Sequence, residues 1–84
     1  MKLMDKITFE YKGKQLSGQL ISSTNLEPHY HWFYFYDAEI TQTIQDDCIG
    51  FKKKGGQLTP TKVFGVHHIE LVETVKRVIE SHIN

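Results

Sequence analysis

Cysteine is nearly absent from this chain: Cys48 is the one thiol in 84 residues, so no disulfide can close within it. A fold without such staples suits a reducing compartment, and the cytoplasm is the expected location. Long apolar runs are also missing. No stretch approaches the roughly 20 residues that cross a bilayer as a helix, so no membrane partner is expected. The opening Met1-Lys2-Leu3-Met4-Asp5-Lys6 carries charge where a signal peptide needs an apolar core, so no such leader is expected. An excess of either charge is lacking too: ten Lys and Arg balance ten Asp and Glu. Duplex nucleic-acid binders usually carry a basic excess, so zero net charge disfavours a nucleic-acid partner.

Catalytic and cofactor motifs are equally scarce. No CxxC or HExxH accompanies the histidines, and Gly55-Gly56 is not followed by the Lys-Ser/Thr of a phosphate loop. Ser17, Ser22, Ser23 and Ser81 lack a nucleophile-elbow context. Asp46 and Asp47 are adjacent, so on a strand they point opposite ways and do not pair. These acids raise the thiol pKa of Cys48, which reads as a buried structural residue. No catalytic set and no cofactor follow from these residues.

Aromatics, by contrast, are plentiful: five Phe, four Tyr and one Trp. The hydrophobic fraction of 39% and charged fraction of 24% belong to folded domains rather than disordered ones. A length of 84 residues fits one domain, 1–84. Ile7, Phe9 and Tyr11 alternate with polar residues, the period of a half-buried strand. Lys12-Gly13-Lys14 predicts a hairpin turn into a second strand over 15–23, in which Gly18 marks a bulge or a close neighbour. Residues 22–28 form a turn-rich connection, and Pro28 bars a central strand position.

His29 to Tyr36 is the clearest strand. One face carries Tyr30, Trp32, Tyr34 and Tyr36; the other carries His31, Phe33 and Phe35. Residues 37–47 suit either helix or strand, and one or two helical turns behind Asp37 are favoured. Cys48 to Lys53 and Gln57 to Phe64 form a second hairpin about Gly55-Gly56, with Pro60 placing the last arm at a sheet edge. Ile69, Val72, Val75 and Ile79 predict a C-terminal helix from about His67, with Glu73 and Arg77 as an i,i+4 pair. The expected fold class is two-layer α+β: about five antiparallel strands in the order β-β-β-(short α)-β-β-α, the amphipathic C-terminal helix covering one face.

Charge is unevenly distributed along the chain. Glu27, Asp37, Glu39, Asp46 and Asp47 occupy a stretch without Lys or Arg, and Lys52, Lys53, Lys54 and Lys62 follow in one without acids. These segments are expected to attract each other across the fold. Three functional readings follow. The favoured one is a small non-catalytic interaction module. Its outward Tyr30, Trp32, Tyr34 and Tyr36 meet a protein partner or a second copy, since Phe, lacking polar atoms, is the better core residue. The second is weak single-stranded nucleic-acid binding, the rings stacking bases while Lys52, Lys53, Lys54 and Lys62 contact phosphates. The third is a metal site built from His29, His31, His67 and His68, with Glu27 or Glu70 completing the set.

Overall fold

The computed structural model describes residues 2–23 and 28–83, with side chains from residue 5. Five strands, β1 (Lys2–Tyr11), β2 (Lys14–Ser23), β3 (His29–Phe35), β4 (Cys48–Lys54) and β5 (Gln57–Pro60), form one antiparallel sheet in chain order. Helix α1 (Ala38–Ile44) links β3 to β4, and α2 (Ile69–Ile83) follows a single 3-10 turn over Val66–His68. The expected α+β architecture is therefore present. Of the turn-rich connection expected over 22–28, Ser22 and Ser23 belong to β2, and residues 24–27, Glu27 among them, lie outside the described residues.

Both hairpin turns carry positive φ at their two central residues, Lys12 (52°) with Gly13 (76°) and Gly55 (62°) with Gly56 (83°). That is the type I′ geometry whose twist matches the flanking strands. Each turn sets a register, and each register sorts residues to faces. Phe9 lies opposite Leu16, Leu20 opposite Phe33, and Phe33 opposite Ile49. With Phe35, Phe51 and Leu58 they form the sheet side of the core; Leu71, Val72, Val75 and Ile79 form the helix side. Gly18 sits in that layer without a bulge: a Cβ there would lie 2.4 Å from Phe33 Cε2 and 2.4 Å from the Tyr34 carbonyl oxygen. Of the two readings for this glycine, the close neighbour is the correct one.

Several local expectations need correction. β5 ends at Pro60 rather than Phe64, and Thr61 donates its N–H to the Gly50 carbonyl at 2.9 Å as the chain leaves the sheet. Ile69 opens α2 and is 52% exposed, so Leu71 takes its place in the buried stripe. Glu73 and Arg77 make no ion pair among the described residues; Glu70 instead meets Lys12 at 3.2 Å. Asp37 occupies the N-cap position of α1, yet its side chain turns away and accepts the N–H of Ser17 at 3.2 Å. Among the described residues no helix is long and apolar enough to cross a membrane.

Candidate interaction surface

Alternation along β3 sends His31, Phe33 and Phe35 into the core and Tyr30, Trp32, Tyr34 and Tyr36 to the opposite face. What covers that opposite face decides its use. The helix α2 lies on the other side. Helix α1 does as well, because its Ile44 belongs to the core cluster and its Ile40 packs against it. Both described helices therefore leave the four rings open. Tyr34 is 39% exposed and Tyr36 56%, while Tyr30 and Trp32 are half-buried.

The half-burial of Trp32 has a local cause. Its cross-strand neighbours are Ile21 on β2 and Gly50 on β4. The indole lies across Gly50, where a Cβ would stand 2.8 Å from Trp32 Cδ1 and 2.9 Å from Thr61 Oγ1. Tyr30 stacks on the indole with centroids 5.7 Å apart and planes 10° from parallel. The result is an aromatic ladder along β3 whose Tyr30–Trp32 end is stacked and half-buried and whose Tyr34 and Tyr36 are exposed.

Charge brackets this ladder. Lys52 is directly opposite Tyr30 and shares its face, and at the other end Lys6 Nζ stands 6.0 Å from the Tyr36 ring centroid. Cys48 is opposite Tyr34 on the same face and is half-buried, which corrects its expected place in the core. Burial, then Asp46, pushes its thiol pKa up. The Cys48 sulfur, then burial, holds the Tyr34 hydroxyl above its usual range.

The four lysines grouped by sequence do not act together. Lys52 and Lys54 share the aromatic face, whereas Lys53 projects on the helix side of the sheet. Lys62 is held by Asp46 at 2.6 Å, one of the attractions expected between the acidic and basic segments, and Lys62 keeps the Asp46 carboxyl below its ordinary pKa.

The histidines are separated as well. His29 and His31 line a hollow of about 310 Å³ with Ser22, Lys53, Asp5 and His82, the last from the end of α2. His67 and His68 precede the start of that 15-residue helix, about 22 Å away along its axis. The four do not gather, and among the described residues no three His, Cys, Asp or Glu side chains are placed to hold a metal ion. Of the acids proposed to complete the set, Glu70 pairs with Lys12, and Glu27 lies outside the described residues.

Sequence reasoning missed two features here. Ser22 and His31 face each other across β2 and β3, each 2% exposed, with Ser22 Oγ 2.7 Å from His31 Nδ1. His31 Nε2 has no hydrogen-bond partner among the described residues, and burial, then Lys53 and His29, lowers the pKa of the ring. The second is an apolar hollow of about 380 Å³ beside β5, lined by Pro60, Val63, Phe64, Ile69 and Val72. No sequence period marks it, because Val63 and Phe64 lie in a loop.

Comparison with family models, curated proteins and solved structures finds no match for this chain. Function must therefore be argued from the aromatic face and its surroundings alone.

Proposed function

We propose that this domain is a non-catalytic interaction module whose outer sheet face docks a protein partner. One observation carries the reading. Four consecutive outward positions of β3 and its extension are Tyr, Trp, Tyr and Tyr, and neither described helix covers them. Rings of this kind dominate the energetic centres of protein interfaces because they combine large apolar area with a polar tip. Lys6 and Lys52 at the two ends favour a partner whose apolar patch is rimmed by acids.

The test uses Trp32, the one tryptophan in the chain, as its own reporter. The wild-type chain and a Trp32→Ser/Tyr34→Ser variant are compared as baits in the native host, each checked for folding by circular dichroism. The proposal expects a protein recovered with the wild type, absent with the variant, that shifts Trp32 emission to the blue when purified and added back. Equal recovery by both baits contradicts it. Lys52 and Lys54 share the face with the Tyr30–Trp32 stack, so single-stranded nucleic acid is the competing occupant. Quenching of Trp32 by an oligo-dT strand, weakening steeply with salt, would replace the protein reading with that one.

A further inference from the structure

We propose that two copies of this chain pair antiparallel through β1 about a two-fold axis at Thr8, joining their sheets into one of ten strands. The proposal goes beyond the docking face and does not rest on it, since edge pairing leaves the Tyr/Trp ladder open.

Among the described residues, strand order β1-β2-β3-β4-β5 leaves β1 and β5 each with one unpaired side. An unpaired edge exposes a row of N–H and C=O groups, and proteins that stay monomeric blunt it by shortness, proline, a bulge, a cover or charged side chains; charge is the one of these that β1 carries, in Asp5, Lys6 and Glu10. β5 has two of these protections, being four residues long and ending in Pro60. β1 runs for ten residues, contains no proline, and pairs with β2 without a bulge from Lys2–Ser23 to Tyr11–Lys14.

The core is also unfinished at this edge. Leu16 and Phe33, one and two strands inward, are fully buried, while Ile7, Phe9 and Tyr11 on the same side of β1 are only half-buried. A strand added outside β1 would extend the apolar layer over them.

The sequence of β1 then selects the added strand. In a two-fold antiparallel pair, opposite residues lie on the same face, so their numbers sum to an even value. Within β1, sums of 10, 12 and 20 set Asp5 against Asp5, Lys6 against Lys6, and Glu10 against Glu10, while a sum of 18 sets Phe9 against its own copy and pairs no opposite charges. A sum of 14 sets Ile7 against its own copy and likewise pairs no opposite charges. A sum of 16 alone joins opposite charges without opposing like ones: it sets Lys6 against Glu10 on the outer face, and Ile7 against Phe9 and Asp5 against Tyr11 on the core face, each twice by symmetry, with Thr8 meeting its own copy on the axis. The second copy of β1 is thus a complementary occupant in this register.

Charge reversal tests the register. Lys6 and Glu10 are both exposed, so the variants K6E and E10K are expected to keep the monomer fold by circular dichroism. Sedimentation equilibrium should show the wild-type dimer weakened about tenfold or more in each single variant, because each places like charges opposite one another twice. K6E/E10K restores the opposite charges and should return the dissociation constant to within about threefold of wild type. The double variant is decisive, since K6E alone also removes the contact of Lys6 with the Tyr36 ring. Amide exchange on the unmutated chain gives a second readout: β1 should become more protected as concentration rises while β5 does not. A wild-type chain that sediments as a monomer at high micromolar concentration, β1 exchange independent of concentration, or a double variant no better than either single one overturns the proposal.

Discussion

At the scale of single residues, two glycines and one histidine show how closely this fold is determined by contacts that composition does not reveal. Gly18 and Gly50 both lie where a neighbour crosses the strand, but the neighbours differ. At Gly18 the obstruction includes the backbone oxygen of Tyr34, and at Gly50 it is the edge of the Trp32 ring and the hydroxyl of Thr61. Gly50→Ala is expected to cost about 1–3 kcal/mol, as overpacking does. Gly18→Ala should cost more, because a strand has to shift. Thermal melting of the two variants checks the order, with each kcal/mol moving Tm by about 4–8 °C in a domain of this size. Gly18 could be recognised from the sequence as a special position, but not which of its two uses applied, since that depends on where β3 docks.

Burial, then Lys53 and His29, lowers the pKa of the His31 ring. Its folded pKa lies below that of the unfolded chain, so the unfolded state binds the proton more readily. The stability it contributes is fully present above the unfolded value of about 6.5 and is lost as pH falls below that. Tm should therefore drop between pH 7 and 5, and His31→Gln should flatten that slope. Ser22→Ala removes the hydroxyl against Nδ1 and should cost about 1–3 kcal/mol by urea unfolding, because a buried ring nitrogen then lacks its partner. The pair was hidden in the sequence because it depends on register: Ser22 meets His31 only if β2 and β3 align as they do.

At the scale of elements, period was informative and boundaries were not. Alternation in β1 and β3 and the 3/4 spacing of α2 each follow from one buried face, which the sequence states directly. The end of β5 does not: Gln57 to Phe64 alternates far enough to read as strand, but Thr61 turns its N–H back to Gly50 and the chain departs. In α2 the stripe was displaced at its start, since Ile69 borders the open hollow beside β5 and stays 52% exposed. This difference is measurable. Ile79→Ala, at a fully buried position, should cost about 2–5 kcal/mol, whereas Ile69→Ala should stay within about 0.5 kcal/mol by chemical denaturation. The lysine run on β4 shows what alternation could have separated sooner. Lys53 must face away from Lys52 and Lys54 on any strand, so a four-lysine contact surface was never available.

At the scale of the whole molecule, one helix cannot cover both faces of a five-stranded sheet, and α1 closes the end of the core rather than the outer face. The face left over is the one with the tyrosines and the tryptophan. That partition was legible in the sequence, because Phe and Tyr/Trp were already sorted to opposite sides of a single strand. The arrangement of the histidines was not, because His82 reaches His29 and His31 only through the packing of α2, whereas His67 and His68 are held at its far end. The central claim is that the aromatic ladder is open to solvent in a single subunit. Light-induced nuclear polarisation with a flavin dye, which enhances only ring protons the dye can touch, measures this residue by residue. In a dilute sample Tyr34 and Tyr36 should polarise strongly, with Tyr30 and Trp32 weaker. Silence from all four rings, in a chain whose denatured form gives normal signals, would contradict the account.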